Sequence, residues 1–497
     1  MKQIRRNARK ALFCLLVLFV LLIGYGVYYV TFSSSRLFST DINSYAAEQM
    51  KNVLAGDLLD RNGVVMATTM ETISQDGLGG SEKTYARVYQ PDALARSAAV
   101  HITGDRKGEV KYSMNRMMRA YLYGFYMPIW ERLGSAFSGT PRAGDNVTLT
   151  VDSRLMTYAA SLFPAGKAGA VVVMNYKTGE VLTEQSFPNF DPEAGILDGR
   201  NTHPEINRAI GGLNAPGSTF KIVTAASAIE NMTDYATRSF RCDGLIELNG
   251  HKITDAGTDL EAGNITRHGE LTLLRAFQVS CNNTFANLGL TLGDEKLKKT
   301  AEAFGFNDNF LFRDLIVENS VYPAENRTED QIAWTGVGQS ALQASPLHMC
   351  MAAAAVANDG VMMEPRMLLK AVSQSGAQRA AFTGKVYRRA LSPHSASVLK
   401  EYMRAVVTGG TGTAAGVTGK RVCGKTGTAE KTVEKTVNGV KMSVNTVNAW
   451  FVGFLDEPNC PYALAIVVED AEKGGGSVSA PIAKKLFQWL LDNGYGG

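Results

Sequence analysis

The sequence predicts an α+β fold carried behind one apolar N-terminal segment. Two observations predict the fold: strand-like stretches lie both early (168–174 and 180–183) and late (422–430, 448–455 and 462–468), and long Ala-rich helical runs fill the interval between them. Such an order builds one antiparallel sheet from both ends of the sequence, flanked by helices. A third observation places the chain at a membrane: residues 11–32 carry no charge. With 497 residues, 45% of them hydrophobic and 20% charged, there is enough chain for two or three domains and a full-sized core.

Residues 11–32, ALFCLLVLFVLLIGYGVYYVTF, match the ~20 residues a helix needs to cross a bilayer. Lys2, Arg5, Arg6, Arg9 and Lys10 stand just before them with no acid nearby. By the positive-inside rule, residues 1–10 stay in the cytoplasm and the chain after residue 35 is extracytoplasmic. The apolar stretch exceeds the roughly 7 to 15 residues of a cleaved leader and no A-x-A site follows, so it reads as an uncleaved single-pass anchor. Tyr25, Tyr28 and Tyr29 fit its outer interface.

The same five cations account for the formal net charge of +4, since the rest of the chain holds 46 basic against 47 acidic residues. That balance excludes a nucleic-acid reading, which needs a basic face on the folded part. Six cysteines (14, 242, 281, 350, 423 and 460) form no C-x-x-C pair and six histidines form no H-x-x-x-H, so neither a structural zinc site nor a disulfide framework is predicted. Cys281 and Cys423 adjoin two motifs described below and are expected to be free thiols near the cleft.

Residues 36–145 predict a small non-catalytic module. Within it, 57–67 is a strand, turn, strand pattern around Asn62-Gly63, and the Tyr- and Met-rich stretch 112–130 is either core or an amphipathic helix packed on a partner. A different composition begins at 146, with a strand over 146–151, a helix over 153–163 and a hairpin turning at 175–179. The Lys177-Thr178-Gly179 at that turn is ordinary turn chemistry. Further on, 270–278 reads as a helix, Ser345-Pro346 caps and starts an Ala-rich helix, and 481–491 closes the chain as a helix.

Ala215-Pro216-Gly217-Ser218-Thr219-Phe220-Lys221 runs without a break into an apolar helix, with Ser218 in its first turn. Three residues apart on a helix, Ser218 and Lys221 share one face, within possible hydrogen-bond reach. A lysine in apolar surroundings loses the hydration of its charged form, and the neutral amine can take a proton from a serine. Ser397 and Lys400 repeat the spacing, so the pair alone is not specific; that copy reads as a helix surface. Ser280-Cys281-Asn282 places a hydroxyl two residues from a carboxamide, and Lys425-Thr426-Gly427-Thr428 lies on a predicted strand.

As an ordered set, S-x-x-K at 218, S-x-N at 280 and K-T-G at 425 resemble the penicillin-binding proteins and serine β-lactamases. The match covers about residues 146–497. The anchor, the 36–145 module and the entry segment Gly144-Asp145-Asn146-Val147-Thr148-Leu149-Thr150 further resemble the class B, monofunctional penicillin-binding proteins, with no room for a glycosyltransferase domain after the anchor. The resemblance implies peptidoglycan D,D-transpeptidation without metal or cofactor. Ser218 is then the nucleophile and Lys221 its base. Ser280, Asn282 and Lys425 pass a proton to the departing D-alanine, while Lys425, Thr426, Gly427 and Thr428 hold the terminal carboxylate. Backbone N–H groups of Ser218 and Thr428 form the oxyanion hole. Implied partners are peptidoglycan stem peptides, β-lactam antibiotics, the membrane and a membrane glycan polymerase. The alternatives are a hydrolase, either D,D-carboxypeptidase or β-lactamase, and a membrane β-lactam sensor.

Overall fold

A computed structural model describes residues 2–28, 50, 53–75, 81–138, 142–196, 202–323, 327–437 and 440–496. The first helix spans Lys2–Tyr28. It begins inside the basic segment and not at residue 11, because Lys2–Lys10 contains neither Pro nor Gly to stop the helix extending backwards. Its Arg5–Gly26 part is the single helix among the described residues long and apolar enough to cross a membrane, and its Leu, Phe and Val side chains are exposed. The expected outer end at 29–32, with Tyr29, and the start of the module at 36–49 lie outside the described residues.

The main sheet has five antiparallel strands, in the order Val422–Val437, Val440–Leu455, Tyr462–Ala471, Gly169–Asn175, Val181–Phe187. It is built from both ends of the sequence as expected: Tyr462 pairs with Asn175 and Val468 with Gly169. Side chains alternate between two cores. Val171, Val173, Phe451, Leu464 and Ile466 enter one, together with the helices Ser153–Leu162 and Ser479–Asp492. Val172, Met174, Trp450, Val452 and Ala465 enter the other, where the helix Pro346–Ala357 is buried at every residue. Ser345 caps that helix by accepting the His348 N–H at 3.3 Å, and Pro346 opens its first turn.

A second sheet orders six strands as Gln378–Ala381, Leu368–Val372, Asn146–Leu149, Leu58–Leu59, Val65–Gln75, Ser81–Tyr89. Residue 146, the expected domain boundary, therefore opens a strand that pairs on one side with Leu58–Leu59 and on the other with Leu368–Val372. The turn at Asn62-Gly63 forms as expected, with Asp60 Oδ1 accepting the N–H groups of Asn62 and Val64 at 2.8 and 2.9 Å. Residues 112–130 do not make one helix. Met114–Met117 and Arg119–Leu122 are single turns that bury Met114, Met118 and Leu122, and the helix Ile129–Ser138 that follows exposes Trp130, Leu133 and Phe137.

The helix expected over 270–278 starts later, at Leu273, and ends at Val279. Gly269–Leu271 instead pairs with Phe240–Cys242 as a short antiparallel ladder, and the Thr272 hydroxyl caps the helix by accepting the Arg275 N–H at 3.3 Å. Backbone pairing and a cap together outweigh the helical preference of Glu270 and Leu271.

Candidate active site

Gly217–Phe220 forms a tight 3-10 turn, and the regular helix begins only at Lys221 and runs to Asn231. Ser218 thus precedes the α-helix by one turn instead of sitting in it. Gly217 makes this entry possible: its φ is +53°, and a Cβ there would lie 2.9 Å from the Thr428 carbonyl oxygen. The turn is held by Thr219, whose hydroxyl donates to the Pro216 carbonyl at 2.6 Å, and by Trp450, whose indole N–H donates to the Ala215 carbonyl at 3.1 Å. Phe220 anchors it from below, fully buried and edge-on to Phe306 at 5.4 Å between centroids.

Ser280 ends the helix Leu273–Val279 in a left-handed conformation, φ 60° and ψ 38°, and Cys281 caps the next helix, Asn282–Leu292. This break between two helices aims Ser280 and Asn282 at the same point. Lys425 and Thr426 rise beside them on Val422–Val437, where Gly427 faces Trp450 in register; a Cβ on Gly427 would be 2.9 Å from both Thr219 and Trp450 side-chain carbons. Ser218, Ser280, Asn282, Thr426 and Thr428 line one cleft of about 280 Å³.

Beneath the cleft, Lys221 and Lys425 are fully buried and meet at Ser280. Lys221 Nζ donates to the Ser280 carbonyl and to Asn282 Oδ1, both at 2.7 Å, and to Ser280 Oγ at 3.3 Å. Lys425 Nζ donates to Ser280 Oγ at 2.8 Å and to the Thr426 carbonyl at 3.2 Å. Aromatic faces sit opposite them, Phe285 at 5.2 Å from Lys221 and Phe277 at 5.6 Å from Lys425, and among the described residues neither lysine has an ion-pair partner. Burial lowers the Lys221 amine to about 8, against the opposing pull of Cys281 and Asp255. Burial, and then the charge of Lys221, hold Lys425 well below the usual lysine value. Among the described residues, none of the hydrogen bonds of Lys221 goes to Ser218; the i, i+3 spacing puts them on one face, while the lysine's donors are taken by Ser280 and Asn282.

The other copies of the motifs lie elsewhere. Ser397 is exposed on the helix Pro393–Gly409 and Lys400 pairs with Asp359 at 2.8 Å. Lys177 sits at the expected turn and donates to Asn358 Oδ1 at 2.9 Å. Cys281 and Cys423 are both free and buried, Cys281 inside the S-x-N motif and Cys423 two residues before Lys425. Two parts of the cleft were not singled out by sequence. Thr411 shares a 2.6 Å hydrogen bond with the Thr426 hydroxyl, and Gly474 approaches Thr428 so closely that a Cβ would stand 2.4 Å from its Oγ1. The only sequence signals for them are Gly-rich runs at 409–412 and 474–476.

A serine at a cleft, above a buried lysine–serine–asparagine–lysine chain, is equipped for acyl transfer without histidine. Comparison with known proteins agrees with that class. Residues 169–488 match the penicillin binding protein transpeptidase domain, and the chain belongs to this family, on its class B side. The chain is 29% identical over 391 residues to the peptidoglycan D,D-transpeptidase PbpA of Mycolicibacterium smegmatis, covering 73% of this chain and 76% of that one. It is 32% identical over 368 residues to stage V sporulation protein D of Bacillus subtilis, covering 70% of this chain and 54% of that protein. Among solved structures it is similar to the D,D-transpeptidase domain of a peptidoglycan glycosyltransferase from Eggerthella lenta, with a TM-score of 0.71, 30% identity, and 89% and 99% of the two chains covered. The ceftriaxone acyl-enzyme complex of penicillin-binding protein A from M. tuberculosis superimposes with a TM-score of 0.75 at 25% identity, over 89% of this chain and 99% of the other.

Proposed function

We propose that Ser218 is the acyl-carrying nucleophile of this serine-type peptidoglycan D,D-transpeptidase, with Lys221 as its base. The protein acts on peptidoglycan stem peptides and is acylated by β-lactams. The observation that carries the residue roles is the buried chain Lys221–Ser280–Lys425, with Asn282 on Lys221, opening on the same cleft as Ser218. Ser218 Oγ attacks the carbonyl between two D-alanines and its proton passes to the neutral amine of Lys221. As the tetrahedral intermediate collapses, a proton reaches the departing D-alanine amine through Ser280 and Lys425. The oxyanion rests on the backbone N–H groups of Ser218 and Thr428, a reading supported by how tightly Gly217 packs on the Thr428 carbonyl; such donors are typically worth ~2.7 to 4 kcal/mol each. Lys425, Thr426, Gly427 and Thr428 receive the terminal carboxylate. An amine of a neighbouring strand then takes the acyl group and completes the crosslink.

A labelled penicillin tests this. One adduct per chain, retained for many minutes on the peptide containing Ser218 and absent from Ser218→Ala, is expected, because a cleft shaped for an amine acceptor aligns water poorly. Rapid turnover with no trapped adduct would make the protein a hydrolase instead.

The division of the chain follows the same reading: residues 1–10 cytoplasmic, 11–32 the anchor, 36–145 a non-catalytic module and 146–497 the transpeptidase domain, extracytoplasmic by the basic flank Lys2–Lys10. Protease added outside spheroplasts should digest the chain beyond residue 35, and full protection of the cleft-bearing part would reverse the orientation. A membrane glycan polymerase is the partner this reading expects, through the anchor and the module. The exposed Trp130, Leu133 and Phe137 support a contact there.

A further inference from the structure

Cys242, Asp255, His268 and Cys281 come from four separate elements, and their ligand-type atoms all lie within 4.8 Å of one another. Cys242 ends a short strand, and its partner strand begins at Gly269, directly after His268. Asp255 follows the strand His251–Thr254, and Cys281 is the middle residue of S-x-N. Asp255 Oδ2 is 2.8 Å from Cys242 Sγ, 3.4 Å from Cys281 Sγ and 3.3 Å from His268 Nδ1, and Cys242 Sγ is 3.5 Å from His268 Nδ1. Bonds of ~2.0 to 2.3 Å to one central ion would place tetrahedral ligands at about these separations. From these contacts we propose that the protein binds one Zn²⁺ through Cys242, Asp255, His268 and Cys281, and that the ion fixes the S-x-N turn.

Two further observations point the same way. Asp255 is 2% exposed and, although the Asn282 N–H and both thiols reach it, its single ion-pair partner among the described residues is His268; a buried carboxylate with so little counter-charge favours a cation beside it. The sulfur of Cys281 accepts both the N–H and the hydroxyl of Thr284, at 3.3 and 3.2 Å, an arrangement that suits a metal-bound thiolate. Two sulfurs, an imidazole nitrogen and a carboxylate oxygen in a closed tetrahedral set favour zinc over the harder divalent cations. On binding, the two thiols release their protons to solvent as the Zn–S bonds form. His268, with 23% of its side chain exposed, leaves a path for the ion.

The ion is a positioning element, not a participant in the chemistry. Asp255 reaches the motif a second time through Oδ1, which accepts the Asn282 N–H, while the Asn282 amide donates to the Thr254 carbonyl at 2.7 Å. Tying Cys281 to Asp255 therefore locks Ser280 and Asn282 from between, and with them the two partners of Lys221. The spacing of the four ligands along the chain, at 242, 255, 268 and 281, resembles no short metal motif, which is why sequence predicted no zinc site.

The full-length protein, purified in detergent without added metal and then dialysed against zinc, should retain one zinc per chain, and X-ray absorption should show two sulfur and two lighter ligands. Cys242→Ser and His268→Ala should lose it, while His251→Ala and Cys14→Ser should keep it. On the wild-type chain, where misfolding of a variant is no concern, a strong chelator should slow penicillin acylation at least about tenfold and zinc should restore it, since a displacement of about 1 Å in such groups can forfeit on the order of 100-fold. Folded, penicillin-reactive protein without stoichiometric zinc, or a Cys242–Cys281 disulfide in non-reducing peptide maps, would overturn the site. Bound zinc whose removal leaves acylation unchanged would overturn the positioning role.

Discussion

Ser218–Lys221 and Ser397–Lys400 share a spacing and differ in nearly everything around it. Lys221 is buried among Phe285, the Ser280 carbonyl and Asn282, and among the described residues it has no ion-pair partner. Lys400 lies near the surface and donates to Asp359 at 2.8 Å. Three residues of helix bring a serine and a lysine to one face, but only at Lys221 does full burial lower the amine, which is what the proposed role as base requires. The comparison also explains why the neighbouring motifs matter: S-x-N and K-T-G supply hydrogen bonds to a buried amine without supplying a counter-charge.

The largest expected effect breaks the comparison at the serine. Ser218→Ala should abolish the penicillin adduct and Ser397→Ala should leave its amount and rate unchanged, as read by fluorescence of the labelled chain. Next comes the lysine. Lys221→Arg keeps the positive charge but cannot give up its proton, so acylation should fall by the ~10² to 10⁴ that a general base contributes, with Lys400→Arg silent. Packing distinguishes the pairs more modestly. Phe220→Ala empties the space under the Ser218 turn and should cost about 3 to 5 kcal/mol in denaturant unfolding. Breaking the surface pair with Lys400→Ala should cost no more than about 1 kcal/mol by the same measurement.

Much of this was legible in the sequence because it is local. Strand periodicity announced a sheet built from 168–183 and 422–468, and the ordered motifs selected Ser218, Lys221, Ser280, Asn282 and Lys425, which the fold gathers at one cleft. What was not legible depends on distant partners. Gly217 takes its tight turn because Thr428 stands against it, Gly269–Leu271 becomes a strand because Cys242 is alongside, and Thr411 and Gly474 reach the cleft only through tertiary packing. The cluster of Cys242, Asp255, His268 and Cys281 is the extreme case: Cys281 stood out as the middle of S-x-N, but only the folded chain puts the other three beside it.

The contrast between the two pairs rests on Lys221 being available as a neutral amine, and the pH dependence of acylation by a neutral-range-stable β-lactam measures that directly. With the amine lowered to about 8, the neutral fraction grows as pH rises, so the second-order acylation rate should climb from pH 6 through a midpoint near 8 and level off above about pH 9. Lys221→Arg should remove the climb and leave a low, flat profile. A wild-type rate that is level from pH 6 to 9, or that Lys221→Arg reproduces, would contradict the assignment of Lys221 as the base of Ser218.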